Sequence, residues 1–148
     1  QKEIVNVAIK AGADIIIGSH PHVLQPVKRF KSNSGRIDSG VVAYSLGNFI
    51  SNQQWRYSDA GGILNIIIKK NIRKDSTFIS EISFLPTWVF KGKISGKTHF
   101  KILPAETAND TLKFLTNNDL SRMKSAFHDT EKIIRSLDSS ILIRHLLR

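Results

Sequence analysis

The chain has 148 residues, of which 41% are hydrophobic and 23% charged, a composition typical of a folded domain and unlike that of a disordered chain. It contains no cysteine, which excludes disulfides and thiolate metal ligands. The formal net charge of +10 favours contact with polyanions, although short basic groups of this kind are most often a solvated face.

The first predicted element is a helix over residues 1–11, where apolar side chains recur at helical spacing. Gly12 predicts the C-terminal end of this helix. No Ser, Thr, Asp or Asn precedes the first turn, so we expect the chain to start inside a helix. Part of a longer protein would have such a start, and so would a natural terminus that frays.

Residues 14–17 form a short apolar run that predicts a buried strand. A helix, a glycine, a buried strand and a polar loop together are typical of an α/β unit. In open α/β sheets, ligand groups gather just beyond the C-terminal ends of the strands. The loop at residues 18–22 lies at that place.

The middle of the chain has the character of a β structure. Strands are predicted over residues 23–30, 41–46, 63–68, 78–90 and 99–103, with turns at residues 32–35 and 71–76. Pro86 is expected to break the fourth of these strands. From Thr107 onward apolar residues return to helical spacing, and the tail at residues 141–148 is predicted to be a short amphipathic helix.

His20 and His22 are the sharpest chemical feature of the sequence. In an extended loop, residues i and i+2 point the same way, roughly 6–7 Å apart, and Pro21 favours an extended conformation at His20. Two such imidazoles suit one metal ion, or two adjacent ions about 3.5–4 Å apart. Two structural or merely exposed histidines fit the pattern as well, because the carboxylate partners of a two-metal site are not evident in the sequence.

A second informative block is Tyr-Ser-Leu-Gly-Asn-Phe-Ile at residues 44–50. Here a predicted strand ends in Gly47 and Asn48, and the Asn48 amide could hydrogen-bond a ligand near the histidine loop. A turn in which Gly47 and Asn48 serve only the backbone geometry fits equally well.

Two blocks of the sequence resemble the bacterial capsule synthesis protein CapA family, which makes poly-gamma-glutamate capsule and is related to the calcineurin-like metallophosphoesterases. They are Gly-Ala-Asp-Ile-Ile-Ile-Gly-Ser-His-Pro-His-Val-Leu-Gln-Pro at residues 12–26 and Val-Ala-Tyr-Ser-Leu-Gly-Asn-Phe-Ile at residues 42–50. The resemblance covers residues 1–65 and is looser at residues 85–89 and 102–104.

The resemblance implies a fold of the α/β class, an α+β layered sandwich that is the C-terminal part of a metallophosphoesterase-like fold. Residues 1–106 would be the C-terminal portion of the CapA-type metallophosphatase-like domain, and residues 107–148 a helical C-terminal extension.

The resemblance also implies a site. In the related phosphoesterases a Gly-His-x-His block supplies two metal ligands, so His20 would bind one divalent ion, of unknown identity, and His22 the other. Ser19 stands between Gly18 and His20, and Ser19 and Asn48 are the candidates for substrate binding. The family's other ligand blocks should lie before Gln1, so divalent ions are expected only with those ligands, and no catalytic residue is assigned here.

Three functions remain open from the sequence. The first is a metal-dependent phosphoesterase-like hydrolase, completed by the residues expected before Gln1. The second is a non-catalytic protein that binds, exports or assembles an anionic polymer, a role that the positive charge suits. The third is an inactive remnant of a partial gene.

The expected partners are an anionic polymer or a phosphate-containing substrate, and other envelope or capsule-synthesis proteins. No nucleic acid is expected, because no nucleic-acid-binding module is evident. The resemblance implies an extracytoplasmic or envelope-associated location, although these residues contain no evident targeting segment. Uncovered strand edges and apolar surface are expected to make the chain poorly soluble or oligomeric.

Overall fold

A computed structural model describes residues 1–106 and 112–145 of the chain. The described residues contain two helices and seven strands. In chain order these are α1 (Lys2–Lys10), β1 (Ile15–Ile17), β2 (Val27–Lys31), β3 (Ser39–Ala43), β4 (Ala60–Asn71), β5 (Ser76–Ile94), β6 (Lys97–Pro104), α2 (Asn117–Ile134) and β7 (Leu142–Ile143).

The first sheet has three strands in the order β1-β3-β2. Strand β3 lies in the centre, parallel to β1 and antiparallel to β2. Helix α1 packs on this sheet through a small apolar cluster that includes Val5, Val42 and Tyr44. The predicted helix at residues 1–11 is confirmed, and it ends as expected before Gly12, whose φ of 89° suits glycine.

The strand predicted at residues 14–17 is confirmed as β1, but the prediction that this strand is buried is wrong. Its outer residues Ile15 and Ile17 are 41% and 51% exposed. The reason is its place at the edge of the sheet, where β3 is its one strand partner among the described residues. Ile16 points the other way and packs against the cluster beneath α1.

The second sheet is built on the long strand β5, which pairs with β4, β6 and β7. The predicted turn at residues 71–76 is confirmed, since it joins β4 to β5. Pro86, however, does not break β5. No β6 residue pairs with Pro86, so its missing N–H leaves no gap in that ladder, and its carbonyl accepts a hydrogen bond from the Ala105 N–H at 2.9 Å.

Helix α2 covers one face of the second sheet. It starts with a capping box, in which Thr116 and Asp119 satisfy each other's backbone N–H groups. Its buried residues recur every three or four positions and meet the aromatic core of β5. The main core includes Phe84, Trp88, Phe90, Met123, Ala126, Ile134 and Ile141.

The tail was predicted to be a helix, and this is wrong for residues 141–145. Leu142 and Ile143 instead form β7, which pairs in parallel with Ser83 and Phe84 of β5. Strand β6 pairs only with Thr87–Ile94 of β5, so β7 occupies an edge that would otherwise be open. Residues 146–148 lie outside the described residues.

The helix predicted from Thr107 onward begins later, at Asn117, after a turn closed by a hydrogen bond from the Leu115 N–H to the Leu112 carbonyl. Residues 107–111 of that predicted helix lie outside the described residues. The predicted boundary between residues 106 and 107 stays a prediction.

The predicted α/β class, with helices layered on sheets as in an α+β sandwich, is confirmed. Neither of the described helices has an apolar stretch long enough to cross a bilayer.

Candidate functional site

The histidine loop leaves β1 in tight contact with β3. The Gly18 N–H donates a hydrogen bond to the Ala43 carbonyl at 2.7 Å. A Cβ atom at position 18 would lie 2.2 Å from the carbonyl oxygen of Tyr44. Glycine is therefore required here because the two backbones approach so closely.

His20 and His22 lie side by side beyond this glycine. Their ring centroids are 6.3 Å apart and the ring planes are inclined by 49°, and both residues are exposed. The extended conformation predicted at His20 is wrong, since φ is 102° at His20 and 58° at His22. Positive φ at two non-glycine residues is strained, and such strain persists where the surroundings fix the backbone.

Asn48 lies next to this loop because the chain after β3 folds back onto the start of β4. Gly47 has a φ of 69° and pairs with Gly61, and the Asn48 N–H donates to the Ala60 carbonyl at 3.2 Å. A Cβ atom at Gly61 would lie 2.2 Å from the Asn48 carbonyl oxygen. The Gly-Asn pair thus serves backbone geometry, as one interpretation of the sequence proposed.

The side chain of Asn48 also reaches the histidine loop. Its Oδ1 lies 2.9 Å from Nδ1 of His22, while its Nδ2 donates to the His22 carbonyl at 3.1 Å. The same Nδ2 lies 3.0 Å from Oε1 of Gln53 and 2.7 Å from the carbonyl of Ser58. Asn48 is only 7% exposed, and these contacts engage both the oxygen and the nitrogen of its amide.

Ser19, the other candidate for substrate binding, lies elsewhere on the loop. It lines a surface cavity of about 190 Å³ between α1 and the end of β1, together with Ile17 and Tyr44. Asn48 does not line this cavity, so the structure does not bring Ser19 and Asn48 into one pocket. A substrate role stays a prediction for both residues.

Two aspartates, Asp14 shortly before the histidine loop and Asp59 just before β4, are already engaged by other protein groups. Asp14 accepts hydrogen bonds from the Ser32 hydroxyl at 2.5 Å and from Nε of Arg36 at 3.1 Å. The Ser32 hydrogen bond is the main cause of a pKa below the ordinary value for Asp14. Asp59 accepts from Nε1 of Trp88 at 3.0 Å and from Arg122 at 2.8 Å.

The two histidines supply nitrogen donors suited to a divalent ion, but the residues described bring no third His, Cys, Asp or Glu side chain to them. Within residues 1–106 and 112–145, no group of three or more His, Cys, Asp or Glu side chains is placed to hold a metal. His20 and His22 therefore fit part of a coordination shell. Metal binding by them stays a prediction.

Sequence reasoning missed the residues that hold Asn48 in place. Gln53 and Ser58 lie in the loop that follows it, where no pattern distinguished them. Arg122 supports the same loop from α2 by donating to the Gln54 carbonyl and to Asp59. A separation of 63 residues between Arg122 and Asp59 leaves no local signal in the sequence.

Comparison with known proteins gives a family match for the part of the chain that holds this site. Residues 1–53 match the family model described as "Bacterial capsule synthesis protein PGA_cap". This match confirms the resemblance predicted from the two sequence blocks.

Two curated relatives agree with that match. The chain is 37% identical over 71 residues to the PGA biosynthesis protein CapA of Bacillus subtilis, and 35% identical over 83 residues to the capsule biosynthesis protein CapA of Bacillus anthracis. These matches cover 48% and 55% of the chain but only 17% of each relative's length. No solved structure matches the chain significantly.

Proposed function

We propose that this protein takes part in the biosynthesis of a capsule polymer, because residues 1–53 match the model of the bacterial capsule synthesis family. The single observation that carries the proposal is the overlap of the family match with the histidine loop and the start of the Gly47-Asn48 turn. The names of the two relatives make poly-gamma-glutamate the first polymer to test.

Within that role, the more specific proposal is a metal-dependent phosphoesterase-like hydrolase. His20 and His22 would hold the metal, together with ligands supplied by polypeptide outside this chain. A bound divalent ion supplies Lewis-acid activation of water and stabilises developing negative charge. The chain's own contribution would be two exposed imidazoles on a backbone held by Gly18 and Asn48.

A second candidate is a non-catalytic protein that binds the anionic polymer. The observation in its favour is the end of the β5–β6 hairpin, which carries Lys91, Lys93, Lys97 and Lys101. None of these four lysines forms an ion pair with a residue that the structure describes, although Lys91 donates to Asn52 at 2.6 Å. Exposed, unpaired ammonium groups attract a polycarboxylate through forces that salt screens.

We propose an envelope-associated location for either function, because a capsule polymer is assembled at the cell surface. Partners from the envelope or from the capsule-synthesis machinery follow from the same role. These partners and the location are proposals for the whole protein, since the chain matches only a small part of its relatives.

Gene replacement tests the proposal in the organism that encodes the protein. Loss of the gene should abolish or reduce surface polymer, and the wild-type gene should restore it. A double variant His20→Ala and His22→Ala should fail to restore polymer if the metal site is needed, but should succeed if the protein only binds polymer. Normal polymer in the strain without the gene would contradict the capsule role.

Binding to purified polyglutamate separates the two candidates further. The polymer-binding function predicts that affinity falls steeply with added salt and on replacing Lys93 and Lys97 with Gln. The same histidine variants should leave this binding unchanged.

A further inference from the structure

The amide of Asn48 has only one chemically sensible orientation in the structure. Its Nδ2 faces three oxygen acceptors, namely the carbonyls of His22 and Ser58 and Oε1 of Gln53. Exchange of the amide nitrogen and oxygen would direct a lone pair at two carbonyl oxygens. Oδ1 must therefore be the atom that faces His22.

This orientation fixes the hydrogen bond to His22. Oδ1 of an amide can only accept, so Nδ1 of His22, at 2.9 Å, must be the donor. In a neutral imidazole the proton on Nδ1 leaves Nε2 as the atom with a free lone pair. His22 thus presents Nε2, on an exposed side chain, to whatever binds at the loop.

We propose that Asn48 is the positioning residue that holds His22 in the Nδ1–H tautomer and so selects Nε2 as its metal-binding atom. The proposal rests on the metal site in the proposed function, and it gives Asn48 a role through His22 rather than through substrate. Outer partners that orient a ligating histidine typically change metal affinity by about 10–100-fold when removed.

Burial makes Asn48 suited to this role. Asn48 is 7% exposed and its backbone is locked between Ala60 and Gly61. An acceptor that is already fixed in the metal-free chain orders His22 at no further cost in side-chain entropy when an ion binds. His20 has no hydrogen-bond partner among the described residues, so its ring has no comparable restraint.

The first test is the tautomer of each histidine in the metal-free wild-type chain. Long-range ¹H–¹⁵N NMR at pH 8.5, above the ordinary histidine pKa of about 6.5, distinguishes a protonated from an unprotonated ring nitrogen. We expect His22 to carry its proton on Nδ1 and to differ from His20, which serves as the internal reference. A His22 proton on Nε2, or a tautomer mixture equal to that of His20, would overturn the proposal.

Variants separate positioning from folding. Asn48→Ala removes the acceptor and should lose the Nδ1–H preference of His22. Asn52→Ala is the matched control, because Asn52 lies in the same loop and contacts Lys91 instead. Should Asn48→Ala fail to fold, the wild-type tautomer still decides the matter.

Titration with Zn²⁺ alone then distinguishes the proposed metal site from the proposed positioning role of Asn48. If both hold, the ion shifts the Nε2 resonance of His22 and leaves its Nδ1 proton in place, and Asn48→Ala weakens the response about 10–100-fold. A fixed tautomer without any Zn²⁺ response supports the tautomer-fixing role of Asn48 and contradicts metal binding by His20 and His22 alone. A Zn²⁺ response through Nδ1 of His22 overturns the positioning role.

Discussion

Arg122 in α2 donates a hydrogen bond to the buried carboxylate of Asp59 at 2.8 Å, and the Asp59 side chain is only 6% exposed. The same oxygen of Asp59 accepts from Nε1 of Trp88, over whose ring the Arg122 guanidinium also lies at 5.7 Å. Asp59 follows Ser58, whose carbonyl holds Asn48. The second helix is thereby linked through one loop to the histidine site.

Arg122→Met should destabilise the chain, because it removes the cationic partner of a buried carboxylate. We expect the free energy of unfolding to fall by about 2–3 kcal/mol, less than for a fully buried ion pair because Arg122 is partly exposed. Thermal unfolding followed by circular dichroism should show a decrease in Tm of roughly 5–10 °C. The control is Lys70→Met, which breaks the exposed pair with Asp75 and should change Tm little. Equal decreases in the two variants would contradict a special role for Arg122.

Gly18→Ala should damage the histidine loop directly. The added Cβ would have to separate the loop from the Tyr44 carbonyl, and a backbone clash at 2.2 Å cannot be relieved by a side-chain rotation. We expect the free energy of unfolding in urea to fall by about 2–3 kcal/mol, the upper part of the range for overpacking, and the NMR signals of His20 and His22 to be displaced. Gly35→Ala is the control, since its Cβ meets nothing within 4 Å and only its φ of 71° is strained. A Gly18→Ala chain as stable as that control would be inconsistent with the close approach.

Asp14→Asn tests the acid sensitivity of the turn that leads into the first sheet. The pKa of Asp14 is held below its ordinary value, chiefly by the Ser32 hydroxyl and further by Ser34 and Arg36. A depressed folded-state pKa contributes stability that is complete above the unfolded value, about 3.9, and is lost as the pH falls through the folded value.

The free energy of unfolding of the wild type should therefore exceed that of Asp14→Asn by about 0.5–1.5 kcal/mol at pH 6. This difference should shrink as the pH falls below about 4. Urea unfolding at pH 6 and pH 3 measures both values. Asp75→Asn, in the exposed turn between β4 and β5, is the control and should behave like wild type at either pH. A difference that stays constant down to pH 3 would exclude titration of Asp14 as its source.

The uncovered edge of β1 should make the chain self-associate. Ile15 and Ile17 are exposed beside backbone groups that lack a strand partner on one side among the described residues. Ile17→Lys should raise the monomer fraction in sedimentation velocity at several concentrations. Ile72→Lys is the matched control, since Ile72 is 87% exposed in the turn between β4 and β5, away from this edge. A wild-type chain that is monomeric at every concentration would argue against association through β1.

Local patterns predicted most of the elements. The helix ending at Gly12, the turn between β4 and β5 and the strand at residues 99–103 all depend on neighbours in sequence, and the structure confirms them. The predictions that were wrong concern segments whose structure depends on partners distant in sequence. The tail pairs with an edge of β5 left open by β6, and Pro86 lies where the β6 ladder does not need its N–H.

The sequence by itself determined the mixed α/β class and the resemblance of residues 1–65 to a capsule synthesis family, and it singled out His20, His22 and Asn48 as candidate site residues. Only the tertiary structure decided how these residues meet. A hydrogen bond between His22 and Asn48 spans 26 positions of the chain, and it depends on Gly47 and Gly61 allowing two backbones to approach. Side-chain periodicity reports which face of an element is apolar, whereas such a contact depends on distances between separate elements, and these are set only when the chain packs.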